Sequence, residues 1–333
     1  MIKKVKIENF KSIKHTELNC GRVNVFIGEP NSGKSNILEA IVGIPSAIGF
    51  KYDLRKVVRF EDLSNLFYDE IADKDIKIII DDNIRLDLGL DSRGRELLIK
   101  LITKDKKEEE MHIHGLRYKS DKGDYSYYYL ESELIKKFKF YKFILKNIFH
   151  EKSTEFLLPP NGDNLVSILA HNKELRKIAN NIVSKFGFKL AVKPREGKLE
   201  IHRELEEGVI VSFPYTVLSD TLQRIIFYSA AVCTNKDSVI AMEEPEAHAF
   251  PHYTKYLAEL IAQDKNNQYF ITTHNPYFLL SLLEKTPKDE IAVFVTYYKD
   301  YRTKVKRLSD KKMQEVVNLD VDVFFNLDMF LED

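Results

Sequence analysis

The apolar positions of the chain change period several times, and each change predicts an element. The opening KKVKIENF alternates, as a half-buried strand does. VNVFI at 23–27 is apolar almost throughout (Val23, Val25, Phe26, Ile27), as a strand covered on both faces would be. Ile37, Leu38, Ala40 and Ile41 then fall on one helical face, with Gly43 as a stop. IKIII, IRLDLGL and ELLIKLIT follow in short succession with polar turns between them, which predicts an antiparallel meander. From 105 to 131 the chain is polar and tyrosine-rich and reads as a pair of strands or a loop. Residues 132–186 read as mainly helical, broken at Pro159-Pro160 and Asn161-Gly162, before strands resume at FKLAVK, KLEIH and GVIVSF. The rest alternates: helix 219–234, strand 238–242, helix 252–263, strand 268–273, helix 276–284, strand 291–297. That rhythm predicts an α/β fold with a mostly parallel core sheet, an antiparallel β subdomain and an inserted helical lobe. We expect one composite unit over 1–333, made of an N-terminal part (1–131), the lobe (132–207) and a C-terminal part (208–333).

Composition narrows the picture only slightly. Lys and Arg total 51, and so do Asp and Glu, so any basic face for nucleic acid must be local. No run approaches the ~20 apolar residues of a membrane span, and MIKKVKIENFKS has no apolar stretch of a secretory leader. Cys20 and Cys233 lie far apart without ligand-like neighbours, which fits a reduced cytoplasmic compartment.

Candidate chemistry begins at FIGEPNSGKSNILEAI, residues 26–41, which places two of only 13 glycines, Gly28 and Gly33, around a Lys-Ser pair. The spacing is G-x-x-x-x-G-K-S between a predicted strand and a predicted helix, the context that marks a phosphate-binding loop. Backbone amides across Gly28, Glu29, Pro30, Asn31, Ser32 and Gly33, and on to Asn36, would face an anion, proline alone lacking a donor. Lys34 would reach the β- and γ-phosphates of a bound ATP, and Ser35 would ligate Mg²⁺.

Two further strands end in polar residues. SVIAMEEPEAH at 238–248 puts Glu243 and Glu244 at the carboxyl end of a short apolar strand, the edge at which open α/β sheets bind ligands. Adjacent strand residues point to opposite faces, so the two acids can hold separate roles. Glu243 would support Mg²⁺ with Ser35, and Glu244 would polarise the attacking water. YFITTHNPYF at 269–278 ends likewise in His274, where a neutral imidazole can hydrogen-bond a γ-phosphate oxygen or the water. Asn275-Pro276 then opens a helix.

In this order, the loop, EEPEAH and TTHNP resemble an ABC-type ATPase head. The resemblance is to the branch holding the SMC and DNA-repair heads and the overcoming-lysogenization-defect (OLD) ATPases. IENFKSIKHTEL and FLLPPNGDNLVSIL (156–169) resemble the same branch. The resemblance implies a P-loop head that dimerises over two ATP molecules, each site completed by a signature segment of the partner. The signature candidate is VLSDTLQRIIFYSAAV at 217–232, with Ser219 as the residue for the contact across the dimer. Relatives present Ser-Gly-Gly there, whereas this chain has Ser219-Asp220-Thr221. Heads of this type also carry a glutamine between loop and signature that completes Mg²⁺ and water coordination. Here none occurs between Ser35 and Gln223, so either another polar residue, within RFEDLSNLF at 59–67, replaces it or hydrolysis is slow.

Three roles are then open: a DNA-end or repair ATPase, a defence ATPase acting with a separately encoded nuclease or other effector, and a nucleotide-gated interaction switch with little turnover. IKKFKFYKFILK at 135–146 interleaves lysines with aromatics and reads either as a nucleic-acid surface or as an amphipathic element with buried rings. Asp320-x-Asp322 is a reminder of the appended OLD nuclease module, but too little chain remains for a complete one, and a closing acidic element is expected.

Overall fold

The computed structural model describes residues 1–104, 108–114, 133–318, 324 and 326–331. The Asp320-x-Asp322 pair and most of 105–131 lie outside them. β1 (Lys4–Phe10) and β2 (Ile13–Asn19) form a hairpin, and β3 (Val23–Gly28) leads through the glycine loop into α1 (Lys34–Leu38). The helical run continues through a π turn at Glu39–Gly43 into α2 (Ile44–Phe50). β4 (Ile76–Ile80), β5 (Ile84–Leu90), β6 (Glu96–Thr103) and β7 (Glu108–His114) extend the hairpin into an antiparallel sheet of order β2-β1-β4-β5-β6-β7. After β8 (Phe138–Tyr141) come α3 (Leu165–His171), α4 (Lys173–Ser184) and the three-stranded sheet of β9 (Lys189–Lys193), β10 (Lys198–Glu204) and β11 (Ile210–Pro214). The chain closes with α5 (Asp220–Thr234), β12 (Val239–Glu243), α6 (Pro251–Gln263), β13 (Gln268–Thr272), α7 (Pro276–Lys285), β14 (Ile291–Lys299), β15 (Arg302–Arg307), α8 (Asp310–Asn318) and α9 (Leu327–Leu331).

The core sheet has the order β15-β14-β3-β13-β12-β8, and every neighbouring pair is parallel except β14–β15. The carboxyl ends of β3, β13 and β12 therefore open side by side at one edge. Both faces of this sheet are covered, which is why its strands read as unbroken apolar runs. Val25, Ile27, Ile240 and Met242 share one core with Ile225, Leu257 and Phe278 of α5, α6 and α7. Phe26, Ala241, Phe270 and Phe294 share the other with the α1–α2 run and the meander.

Three expectations change. Gly43 does not stop the helix: it keeps right-handed dihedrals, φ −61° and ψ −54°, and the run ends at Lys51, φ 57°. Glycine commonly ends a helix by turning left-handed, which Gly43 does not do; Pro45, which lacks an N–H, stands at the second position of α2 just after the π turn. Within 132–186, the described residues are α-helical only from 165 onward, with a single 3-10 turn at Ile135–Lys137 before it. The first part of the stretch contributes β8, which pairs with β12 as the edge of the core sheet. This also decides the reading of 135–146: Phe138, Phe140 and Tyr141 are core residues, so bases cannot stack on them. Lys139 is buried with them, donating to Asn235 Oδ1 at 2.6 Å and Ser238 Oγ at 3.1 Å, with its ammonium 3.6 Å from the Phe156 ring centroid.

Candidate functional site

The loop between β3 and α1 is held from behind by hydroxyls. Thr296 Oγ1 and Ser32 Oγ are 2.7 Å apart, Thr303 Oγ1 donates to Ser32 O at 3.0 Å, and Ser12 Oγ lies 2.7 Å from Thr303 Oγ1. Asn36 Nδ2 joins the ladder by donating to Ser12 Oγ at 2.8 Å. Both glycines are needed for this fit: a Cβ on Gly28 (φ 148°) would overlap Thr296 O, and one on Gly33 (φ 96°) would overlap Thr303 Oγ1. Asn31, at φ 61°, completes the left-handed turn between Glu29-Pro30 and Ser32. Lys34 is buried and folds back over the loop, donating to Gly28 O at 2.8 Å and Glu29 O at 2.7 Å. Burial lowers its ammonium to about 8, against Glu244, Glu243 and Glu29.

The parallel order brings the other two strand ends to this loop. Ser35 Oγ donates to Glu243 Oε1, joining helix α1 to the last residue of β12. His274 Nε2 lies 3.6 Å from Glu244 Oε1. Desolvation and then Lys34 hold the imidazole below its ordinary range, against Glu244, which favours the neutral ring. Glu244 itself takes φ 43°, with its N–H shared between Thr272 O at 3.1 Å and Thr272 Oγ1 at 3.2 Å. A non-glycine residue there costs about 1–3 kcal/mol, the kind of strain that collects at functional sites. Ser219 stands at the N-cap of α5, as its position predicts, but its side chain makes no capping bond. Asp220 turns along the helix to Arg224, 3.3 Å away, rather than capping it.

Two residues that sequence reasoning did not single out belong to this site. Arg59, from the 59–67 stretch, places Nη2 2.7 Å from Glu243 Oε1 and Nε 3.3 Å from Glu39 Oε1; Lys11 holds the same buried Glu39. An alternating chain Lys11–Glu39–Arg59–Glu243 thus ties the β1–β2 turn to the loop helix and β12. The second is Glu246, 3% exposed, which accepts from Thr273 Oγ1 and so staples the turn after β12 to the turn after β13. Its Oε2 has no hydrogen-bond partner among the described residues. Burial pushes its carboxyl up to about 7, and Glu244 adds to the rise, against the Thr273 and main-chain hydrogen bonds.

That shift has a signed consequence. Unfolded Glu246 ionises near its ordinary value, while the folded group keeps its proton to about 7. The folded state therefore binds more protons in between, and stability falls as pH rises through that window. Glu246→Gln keeps the hydrogen-bonding shape and removes the titration. Urea denaturation should show wild type losing stability from pH 5 to pH 7.5 relative to the variant, by on the order of 2–3 kcal/mol at most; a pH-independent difference would refute this.

The donors Ser35 Oγ and the Glu243 carboxylate are hard oxygens, which suits Mg²⁺ shared with phosphate oxygens. No cluster of three or more His, Cys, Asp or Glu able to hold a metal occurs among the described residues. No helix among the described residues is long and apolar enough to cross a membrane.

A family model described as "AAA domain, putative AbiEii toxin, Type IV TA system" matches residues 23–281. No curated protein matches the chain. Among solved structures, an SmcHead bound to the C-winged helix domain of ScpA is similar over 94% of this chain and 99% of its own, with a TM-score of 0.54 and 15% identity. The SMC head domain from Thermotoga maritima matches over 92% and 99%, with a TM-score of 0.43 and 12% identity. The ABC/SMC-type P-loop head is thus the fold of this chain.

Proposed function

Because the chain belongs to that AAA-domain family, we propose that it binds MgATP at 28–36 and hydrolyses it, using the nucleotide to close on a second copy of itself. The observation that carries this is the contact of the Ser35 hydroxyl with the Glu243 carboxylate beside Lys34. Two stretches far apart in sequence meet there with the donors an Mg²⁺-triphosphate requires, and His274 of a third lies 3.6 Å from the neighbouring Glu244. Loop amides and Lys34 take up charge on the β- and γ-phosphates. Ser35 and Glu243 would hold Mg²⁺, which when bound neutralises charge on the transferring phosphoryl group. Glu244 orients the attacking water and accepts its proton, and neutral His274 donates a hydrogen bond to a γ-phosphate oxygen. Arg59 is the residue of 59–67 that pairs with Glu243, 2.7 Å from Oε1, and as a pure donor it cannot itself ligate Mg²⁺. Ser219 of the second copy completes each site from the N-terminus of α5.

Sedimentation tests the closure. Glu244→Gln should be monomeric without nucleotide and dimeric in MgATP, and Ser219→Arg on that background should stay monomeric. A Glu244→Gln protein that is monomeric throughout would remove the dimer from this reading. The biological task proposed is cytoplasmic DNA maintenance or anti-phage defence, with the nucleotide state passed to DNA or to a separate effector such as a nuclease. A gated switch with little turnover is the second reading. Arg59 on Glu243 and the absence of glycine at 219–221 favour it, and single-turnover hydrolysis separates the two.

A further inference from the structure

The turn after β12 is strained, and the side chain that holds it is Glu246; its role rests on the hydrolysis reading above. Two residues of this short turn are left-handed without being glycine, Glu244 at φ 43° and His248 at φ 61°. Backbone strain of this kind persists only where neighbouring structure fixes it from several directions. Three ties do so here. Glu244 N–H is shared by Thr272 O and Thr272 Oγ1, and Thr221 Oγ1 of α5 donates to His248 O at 2.7 Å. Between them the Glu246 carboxyl accepts from Thr273 Oγ1, which itself accepts from Asn275 N at 3.0 Å. Thr273 N donates to Phe26 O at 3.2 Å, so this middle tie is anchored on β3 as well.

The middle tie is the one beside the chemistry. Glu244 lies two residues before Glu246, and His274 lies between Thr273 and Asn275, so one buried hydrogen bond sets the spacing of Glu244 and His274. Its surroundings require Glu246 to make that bond uncharged. Glu246 and Thr273 are both buried, and Glu246 Oε2 has no hydrogen-bond partner among the described residues. A carboxylate there would be a buried charge without a partner, which a carboxylic acid is not. The ionisable groups around it do not offset such a charge. Glu244 on the same turn would repel it, and His274 is held towards the neutral ring. On α5, burial keeps the Tyr228 phenol protonated, and Arg224 turns to Asp220.

We propose that Glu246, as an uncharged acid, is a positioning residue for hydrolysis, bracing the turn of the water-activating Glu244 against the turn of His274. Ionisation sets a second negative charge beside Glu244 and loosens the brace. Turnover should respond, and nucleotide affinity should not, because the phosphate loop, Lys34 and Ser35 lie outside both turns. The folded group keeps its proton to about 7, so the braced form is complete below that pH and is lost as pH rises through it.

Single-turnover hydrolysis by the full chain in saturating MgATP from pH 5.5 to pH 8.5, beside calorimetric affinity for a non-hydrolysable ATP analogue, tests this. Glu246→Gln keeps the shape and cannot ionise. It should match wild type within about twofold at pH 6 and exceed it roughly five- to tenfold at pH 8, where only about a tenth of a group titrating near 7 keeps its proton. Glu246→Ala removes the brace and should lose turnover by about ten- to hundredfold at every pH, with analogue affinity within about threefold of wild type. If Glu246→Gln follows the wild-type pH profile, or loses turnover at pH 6, the role is refuted, whether or not the alanine variant folds. If wild type binds the analogue but hydrolyses no ATP at any pH, the hydrolysis reading fails and takes this role with it, a pattern distinct from the other two.

Discussion

Glu244→Gln should retain MgATP and lose turnover by about 10²–10⁴-fold, the range that a positioned general base contributes. The substitution conserves shape, so the left-handed backbone at φ 43° and the pair of bonds from Glu244 N–H to Thr272 should persist. What it removes is the acceptor that takes the water proton. His274, 3.6 Å away, would be a poor substitute, because desolvation and Lys34 hold its imidazole below the ordinary range and make it a weaker base. The loop, Lys34, Ser35 and Glu243 are untouched, so affinity should change little. Single-turnover hydrolysis beside calorimetric binding gives both numbers. Turnover near the wild-type value in Glu244→Gln would show that another group activates the water.

The parts of the candidate site could be picked out because each is local. G-x-x-x-x-G-K-S sits within one strand–loop–helix unit, and Glu243, Glu244 and His274 each close a short apolar strand whose burial on both faces shows in the sequence. The meander was readable for the same reason, since IKIII, IRLDLGL and ELLIKLIT each carry their own period and turns. What stayed hidden depends on pairing across long separations. Nothing in FKFY distinguishes an edge strand from an amphipathic helix until β12 is known to lie beside it. Arg59 and Glu243 are 184 positions apart, and no local pattern announces that contact. The same holds for Thr296 and Thr303, whose role appears only once the hairpin folds against the glycines.

Glu243 sits where two chains of contact meet. One carboxylate oxygen takes both the Ser35 hydroxyl and the Arg59 guanidinium. A cation placed between Ser35 and Glu243 would compete with Arg59 for that oxygen. Release of Arg59 would leave Glu39 to Lys11, joining the state of the nucleotide site to the turn between β1 and β2. α5 packs instead on Phe143 after β8, whose ring centroid is 5.7 Å from that of Phe227 and 4.8 Å from the Arg224 guanidinium.

Lys34→Ala should weaken nucleotide binding by at least about 10²-fold, because a charge-assisted hydrogen bond to phosphate in a shielded site contributes about 1.5–3 kcal/mol and the lysine makes more than one. The side chain is 6% exposed and ends on Gly28 O and Glu29 O, so it is already aimed across the mouth of the loop. Its burial is expensive: the ammonium falls to about 8 with only distant carboxylates to support it. Removing it should therefore cost the free protein little stability, or raise it, while the carbonyls of Gly28 and Glu29 turn to water at the open edge. The contrast is the test. Melting temperature should hold or rise in Lys34→Ala as ATP affinity collapses, whereas a lysine that merely braces the loop would lower both together.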